Sequence, residues 1–202
     1  MIVGSIKEDL SLEKRVSITP ETAKNIINLG LQVIIENDYA SHIGITDKEY
    51  EIVGVEIKDS SKEVLNNCNL LTKVNCPSDD EINNLKDKTI LIGMLNPSKN
   101  QSKIKNIIKK NINIFSLELL PRISRAQSMD VLSSQSNLAG YRSVVDSIYE
   151  FEKAIPMMMT AAGTVPAAKV LVIGAGVAGL QAIATAKRLG AIVSATDVRA
   201  AS

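Results

Sequence analysis

The chain has 202 residues, enough for one large domain or two smaller ones. Hydrophobic residues make up 45% and charged residues 22%, as in ordinary globular proteins, and the net charge of +1 gives no indication of a nucleic-acid partner. Two cysteines and one histidine are too few for a soft-metal site, so we expect no metal. The sequence has neither a signal-peptide pattern nor a run of the ~18 apolar residues that span a bilayer.

The first 125 residues alternate short apolar runs with amphipathic segments. The apolar runs predict strands over residues 1–6, 31–36, 70–74, 89–95 and 112–117. Between them, the patterns predict helices over 20–29, 47–52, 61–66, 79–85 and 103–109. The first helix begins with Thr19 as cap and Pro20, has an apolar face that includes Leu29, and ends at Gly30. Strands that alternate with helices indicate a parallel sheet, so we place an N-terminal Rossmann-like α/β domain at 1–125.

A different pattern covers residues 126–152. It lacks proline, has glycine only at Gly140, and repeats apolar side chains at roughly helical spacing. We interpret it as one long helix within a linking segment at 126–155. A second domain is then expected over 156–202.

The second domain contains a glycine-rich loop between a strand and a helix. Lys169–Ile173 is a nearly continuous apolar run, as expected of a strand buried on both faces. The loop follows at once as Gly174-Ala175-Gly176-Val177-Ala178-Gly179, a helix is predicted to Leu189, and a second strand covers 191–196. This order is the first βαβ of a dinucleotide-binding Rossmann domain.

Each part of this pattern has a physical reason. Gly174 permits the tight turn, Gly176 lets the backbone approach a pyrophosphate, and Gly179 lets the helix pack close to the strand. The N–H groups at the helix start favour phosphate. Asp197, 18 residues after Gly179 and followed by Val198 and Arg199, matches the acid that holds the ribose hydroxyls and favours NAD(H) over NADP(H).

The chain stops at Ser202, just after the second predicted strand. A mononucleotide-binding half of a Rossmann domain has three strands. We therefore expect the second domain to be truncated and the chain to be an N-terminal fragment.

Three further segments carry a resemblance to a known family. They are RVSITPE at 15–21, LELLPRISRAQSMDVLSSQSNLAGYR at 117–142 and TAAGTVPAAK at 160–169. The chain closely resembles the NAD(H)-binding alpha subunit of proton-translocating NAD(P) transhydrogenase. The resemblance implies hydride transfer between NAD(H) here and NADP(H) on a membrane-spanning partner, coupled to proton translocation. It also implies a homodimer that lies peripherally on the cytoplasmic face of the membrane.

The resemblance assigns site residues as well. Arg122, Gln127 and Asp130 match the residues that lie over the nicotinamide in that family, and Ser133 follows one turn later. Residues 127 and 130 are three apart and share a helix face, and Arg122 can reach Asp130. Such groups can orient a carboxamide, and hydride transfer needs positioning rather than a general acid. The simpler interpretation is that Arg122 and Asp130 only form a capping ion pair.

Two other functions are left open. Alanine dehydrogenase shares the two-domain plan, and Arg15 and Lys73 match the residues that hold its substrate carboxylate. Asn96 lies near the position of its catalytic histidine and cannot supply a proton, while His42 is distant in sequence. A non-enzymatic NAD-binding fragment is the third interpretation.

Overall fold

The computed structural model describes residues 1–121 and 123–199, so Arg122 lies outside the described residues. The chain divides into two compact units, Met1–Met129 and Asp130–Ser202. Among the described residues, the first unit contains one sheet and the second contains two smaller ones. The two are therefore described separately.

The first unit is built on a six-stranded sheet. Its strands are β1 (Ile2–Ser5), β2 (Gln32–Glu36), β3 (Glu56–Lys58), β4 (Leu70–Asn75), β5 (Ile90–Met94) and β6 (Asn113–Ser116). They pair in the order β3-β2-β1-β4-β5-β6, and every pairing is parallel. The predicted α/β class with a parallel sheet is confirmed. The edge strand β3 was not predicted, because three residues are too few to give a periodic signal.

Helices cover both faces of this sheet. They are α1 (Pro20–Asn28), α2 (Asp47–Ile52), α3 (Ser61–Asn67), α4 (Asp79–Asn84) and α5 (Gln101–Lys109), with short 3-10 helices at Ser41–Ile43, Leu117–Leu119 and Ser124–Met129. One buried cluster includes Val64, Ile82 and Ile107 from α3, α4 and α5. The other includes Ala23 and Tyr50 from α1 and α2. Burial on both faces explains why these strands read as nearly continuous apolar runs.

The start of α1 forms as predicted, and its end differs. The Thr19 side chain accepts a hydrogen bond from the Thr22 N–H, and Pro20 occupies the first helical position. Gly30 follows the helix with a φ of +81°. The placement of Leu29 on the apolar face was wrong, since Leu29 is 78% exposed. It is the C-terminal cap, where the chain leaves the helical path and the 3.6-residue period no longer applies.

The second unit begins with a long helix and contains two small sheets. Its elements are α6 (Val131–Phe151), β7 (Met158–Thr160), β8 (Gly163–Val165), β9 (Lys169–Ile173), α7 (Val177–Arg188) and β10 (Ile192–Thr196). Strands β9 and β10 are parallel, and β7 and β8 form an antiparallel hairpin that was not predicted. The single helix expected over 126–152 was wrong at its start. The 3-10 helix Ser124–Met129 comes first, and Asp130 follows it as the N-terminal cap of α6.

Only one face of the β9–β10 sheet is covered in the described part of the second unit. Val144 of α6 and Ala182 and Ala186 of α7 form its buried cluster, against which Val170 and Val172 pack. The opposite face exposes Leu171 at 64% and Ile173 at 81%. The expectation that β9 is buried on both faces was therefore wrong for these residues, because α6 and α7 pack on the same side. An apolar groove of about 400 Å³ lies beside α6 and β9.

Candidate functional site

The glycine loop joins β9 to α7 and is fixed by two close backbone contacts. Gly174 has a φ of +97°, which favours glycine, and its N–H donates to the Thr196 carbonyl at 2.7 Å. A Cβ at Gly179 would overlap the carbonyl oxygen of Gly174. The tight turn at Gly174 and the close packing at Gly179 are therefore present as the sequence pattern indicated.

The outer side of the loop is open. A Cβ at Gly174 or Gly176 would meet no other atom within 4 Å. Gly176 is the N-terminal cap of α7 and has no side chain to satisfy the first turn. The N–H groups of Val177, Ala178 and Gly179 have no acceptor within the helix, because the first turn of any helix lacks one. The loop thus presents donors and a partial positive charge to an open surface, which suits a phosphate.

Asp197 lies beside this loop at the end of β10. Its side chain is only 9% exposed, and its Oδ2 accepts a hydrogen bond from the Ala175 N–H at 2.7 Å. The Arg199 side chain donates to the same carboxylate at 3.1 and 3.2 Å, and the Arg199 N–H donates at 2.8 Å. These bonds from Arg199, and then that from Ala175, hold the pKa of Asp197 well below its ordinary value. The carboxylate is therefore ionised and oriented next to the loop.

The two residues after Asp197 differ in exposure and in their contact with its carboxylate. Val198 is fully exposed. The Arg199 guanidinium is engaged by Asp197, although its side chain is 63% exposed. Its positive charge is thus compensated within the chain rather than presented alone to a 2′-phosphate.

The predicted site residues near the start of α6 differ in their contacts and exposure. Asp130 caps the helix: its carboxylate accepts from the Ser133 N–H at 2.9 Å and from the Ser133 hydroxyl at 2.6 Å. Gln127 is exposed in the 3-10 helix Ser124–Met129. The structure therefore brings Asp130 and Ser133 together. The predicted contact of Arg122 with Asp130 falls on a residue outside the described part of the chain.

The part of α6 that meets the glycine loop is Gly140. A Cβ there would overlap the carbonyl oxygen of Ala178. Gly140 lies ten residues after Asp130, which corresponds to about 15 Å along a helix. This contact was not predicted, although a single glycine inside an otherwise regular helical pattern is a signal of close packing.

A second polar cluster lies at the carboxyl ends of β1 and β4 in the first unit, and it was not predicted as a cluster. The Lys73 ammonium is 2.9 and 3.0 Å from the two carboxylate oxygens of Glu81 and 3.8 Å from Glu8. Burial raises the pKa of Glu8, and the charge of Lys73 opposes this. Arg15 pairs with Glu13 at 2.7 Å. The two cations at the alanine dehydrogenase positions therefore each have a carboxylate of the same chain.

Asn96 and His42, the other residues considered for an alanine dehydrogenase, contact different residues of the first unit. The Asn96 N–H donates to the Glu118 carboxylate, and Asn96 has a φ of +46°. His42 is exposed, and its Nε2 is 2.8 Å from the Lys14 carbonyl oxygen. Across the described residues, no helix combines the length and apolar character required to cross a membrane.

Comparison with known proteins agrees with these features. The model of the alanine dehydrogenase/PNT N-terminal domain matches residues 4–139, and that of the corresponding C-terminal domain matches residues 143–202. An NAD(P) transhydrogenase subunit alpha protein of Rhodospirillum rubrum is 50% identical over 100% of this chain and 54% of its own length. Alanine dehydrogenase of Methanococcus maripaludis is 30% identical over 98% of this chain and 53% of its own length.

A solved structure is similar over the whole chain. The transhydrogenase from Sinorhizobium meliloti gives a TM-score of 0.94 at 48% identity and covers 100% of this chain and 60% of its own. The chain spans about half the length of the curated relatives it matches. The resemblance to transhydrogenase alpha subunits is confirmed. The chain belongs to the alanine dehydrogenase/PNT family.

Proposed function

We propose that the chain is the NAD(H)-binding part of a proton-translocating NAD(P) transhydrogenase. In this function a hydride passes between NAD(H), held by this chain, and NADP(H), held by a partner subunit. Its transfer is coupled to proton translocation in the partner. Identity of 50% to a transhydrogenase subunit, against 30% to an alanine dehydrogenase, favours this proposal over the alternative.

The observation that carries the proposal is the bond between the Asp197 carboxylate and the Ala175 N–H in the glycine loop. This bond supports the proposal because an ionised carboxylate, suited to accept from ribose hydroxyls, lies beside backbone donors suited to a pyrophosphate. The open surface at Gly174 and Gly176 leaves room for the cofactor. When bound, NAD(H) would supply or accept the hydride. The contribution of this chain would be to bind and orient the cofactor.

We assign the positioning of the nicotinamide to Arg122, Gln127 and Asp130. Hydride transfer requires two rings held close together and water excluded, and no proton need be moved at the same step. An amide and a fixed carboxylate suit the orientation of a carboxamide. The cap that Asp130 forms with Ser133 supports this role, because it fixes the carboxylate at the start of α6.

The partners follow from the same proposal. An NADP(H)-binding and membrane-spanning subunit would hold the chain peripherally at the cytoplasmic face of the membrane. A homodimer of this chain is supported by the hairpin β7–β8 and the residue before it, since Met157, Met159 and Val165 are 61%, 76% and 44% exposed. Residues 157–168 contain no charged side chain, and depletion of charge is typical of the core of a protein interface.

Two features disfavour an alanine dehydrogenase. Lys73 and Arg15 are already paired with Glu81 and Glu13, so neither is presented alone to a substrate carboxylate. Asn96 cannot donate the proton that reduction of a 2-oxo acid needs. A non-enzymatic NAD-binding fragment would share the loop and differ only in the absence of transfer.

The cofactor site is tested by NADH binding to Asp197→Ala. Loss of a charged hydrogen-bonding group should weaken binding by about 10- to 100-fold, measured by NADH fluorescence. Asp87→Ala, on a surface loop of the first unit, is the control. Equal affinity of the Asp197→Ala and control chains would contradict the ribose role.

The transfer step needs a second measurement, made on the full-length subunit with its membrane partner. Gln127→Asn should slow hydride transfer between NADH and an NADP⁺ analogue while NADH affinity stays near the original value. The reason is that a shorter amide displaces the ring without removing a pyrophosphate contact. NADH binding with no transfer in the unsubstituted assembly would favour the non-enzymatic alternative.

A further inference from the structure

Charge is distributed unevenly between the two sides of the first unit. Residues 86–110, which include β5 and α5, contain seven lysines and one aspartate, a net charge of +6 in a chain whose total is +1. Residues 47–63, which include α2 and β3, contain six acidic residues and three lysines, a net charge of −3. In the sheet, β3 is one edge, and β5 and β6 are the last two strands at the other. The first unit therefore has a basic side and an acidic side.

Five of the lysines on the basic side are exposed, and we call them the lysine face. They are Lys86, Lys88, Lys99, Lys105 and Lys109. The Lys110 ammonium lies 3.1 Å from the carbonyl oxygen of Leu85, the residue before Lys86, so the end of α5 lies beside the loop at 86–88. Within the described part of the chain, no lysine of this face forms an ion pair with a carboxylate. Their charges are therefore directed to solvent and uncompensated.

An exposed isoleucine lies among the lysines on α5. Ile107 is buried in the core of the first unit, and Ile104 packs against the same cluster. Ile108 is instead 60% exposed, although it adjoins Lys109 and lies three residues after Lys105 on the helix. An apolar side chain flanked by lysines is typical of helices that lie in the interface of a membrane. The outer side of α5 thus combines positive charge with an apolar contact.

The composition of the basic side indicates the class of partner. Residues 86–110 contain no arginine and no aromatic residue. Surfaces that bind single-stranded nucleic acid stack bases on aromatic side chains, and protein interfaces favour arginine and aromatic residues and are depleted in lysine. Lysine is a flexible point charge, and clusters of about four to eight basic residues are typical of surfaces that bind anionic lipids. A lipid surface is therefore the partner that this composition favours.

We propose that the lysine face and Ile108 bind the surface of a bilayer that contains anionic lipids, with the acidic side at β3 turned away from it. The lysines contact the charged headgroups, and Ile108 enters the headgroup layer. The proposal deepens the peripheral location given under the proposed function and rests on that part of it alone. Vesicle binding needs neither NADH nor a partner subunit, so its failure is distinguishable from failure of the cofactor site.

Sedimentation of the chain with lipid vesicles tests the role of charge. Binding to phosphatidylcholine vesicles with about one third phosphatidylglycerol should exceed binding to phosphatidylcholine alone by at least about 10-fold, and it should fall steeply above about 0.1 M NaCl. Lys105→Gln combined with Lys109→Gln should weaken binding to the anionic vesicles by about 10- to 30-fold, because each lysine near such a surface contributes roughly fivefold. Glutamine keeps a good helix propensity, so α5 should persist in circular dichroism.

The matched control removes the same charge from the acidic side. Lys48→Gln combined with Lys62→Gln changes two exposed lysines on α2 and α3, and it should alter binding by less than about twofold. Equal binding of the two double variants would overturn the proposal, and so would equal binding of the unsubstituted chain to both kinds of vesicle. Stronger retention by double-stranded DNA or by polyglutamate than by the anionic vesicles at equal salt would overturn it in favour of a nucleic acid or an acidic protein.

The orientation of α5 is tested by fluorescence. The chain contains no tryptophan, so Ile108→Trp introduces a single reporter on the lysine face. Its emission should shift to shorter wavelength on addition of anionic vesicles and stay unchanged with phosphatidylcholine alone. Ile52→Trp, at a side chain of α2 that is 74% exposed, is the control and should not respond. An Ile108→Trp emission that stays unchanged on vesicles that bind the chain, or an equal shift in the control, would contradict the proposed contact.

Discussion

The two units differ in whether their polar groups are paired within the chain and in whether their apolar strands are covered on both faces. In the first unit, helices cover both faces of a six-stranded sheet, and the polar groups at the carboxyl ends of β1 and β4 are paired with one another. In the second, one face of β9 is exposed, and the donors at the start of α7 point to an open surface. Strands and helices of the same kinds thus form a sheet covered on both faces in the first unit and leave one face and a row of backbone donors open in the second.

This contrast indicates where ligand chemistry resides. A polar group that already has a hydrogen-bond partner within the chain gains little free energy by exchanging that partner for a ligand. A polar group that faces solvent can exchange water for a ligand at small cost. Lys73 belongs to the first kind, and the N–H groups of the loop at Gly176 belong to the second. The second unit therefore presents backbone donors to an open surface, whereas the Lys73 ammonium in the first unit is paired with Glu81.

The largest expected effect comes from apolar strand residues. Leu91 of β5 is fully buried and Leu171 of β9 is 64% exposed, although both lie inside strands of similar composition. Leu91→Ala should destabilise the first unit by about 2 to 5 kcal/mol, because it leaves a cavity. Leu171→Ala should cost less than about 1 kcal/mol. Unfolding in urea, followed by hydrogen exchange in each unit, checks both values, and equal losses would remove the contrast.

A somewhat smaller effect is expected where α6 crosses α7. Gly140→Ala introduces a Cβ that overlaps the Ala178 carbonyl oxygen, so the second unit should lose about 1 to 3 kcal/mol. Helix propensity alone predicts the opposite sign, a gain of about 1 kcal/mol. Hydrogen exchange in α6 and α7 distinguishes the two. A stabilised second unit would show that the close approach at Gly140 is not required.

Much of the fold could be predicted because local and global signals agree. Thr19 and Pro20 mark the start of α1, and both appear as predicted. The apolar runs of the first unit predicted its long strands for the same reason. The errors lie where the local signal is short or ambiguous. Asp130 reads as one more residue of a helical pattern, and only the bond from Ser133 shows that α6 begins after it.

The candidate site was predictable in part. The pattern from Gly174 to Asp197 puts the loop and its acid at the ends of two neighbouring parallel strands, so the contact of Ala175 with Asp197 follows from the motif. The cluster at Lys73 joins residues 8, 73 and 81, which are brought together by sheet order rather than by spacing. A long-range contact of that kind leaves no periodic trace in one sequence.

A smaller effect is expected from a single buried hydroxyl. The Tyr39 hydroxyl lies 2.8 Å from the Ser5 hydroxyl and accepts from the Ser17 and Ile18 N–H groups at 2.9 and 3.2 Å. Tyr39→Phe leaves those donors without this acceptor and should cost the first unit about 1 to 2 kcal/mol. Tyr149→Phe, at a side chain that is 82% exposed, is the matched control and should change stability little. Similar values for the two variants in urea unfolding would contradict the role of the network.

The smallest expected effects concern two carboxyl groups whose pKa values move in opposite directions. Burial raises the pKa of Glu8 above 4.5, so its contribution to stability is present at low pH and is lost as the pH rises through the raised value. Bonds from Arg199 and Ala175 lower the pKa of Asp197 below 3.8, so its contribution is present above that value and is lost as the pH falls through the lowered one.

Carbon-13 titration of the side-chain carboxyls measures both directions in the intact chain. The Glu8 signal should move at a pH above that of exposed glutamates such as Glu21, and the Asp197 signal should remain that of the ionised form below pH 3.8. Arg199→Gln should shift the Asp197 titration upward, because the guanidinium is the first cause of its low pKa. An ordinary Asp197 titration in the unsubstituted chain would mean that Arg199 does not hold the carboxylate, and its charge would then be available to a 2′-phosphate.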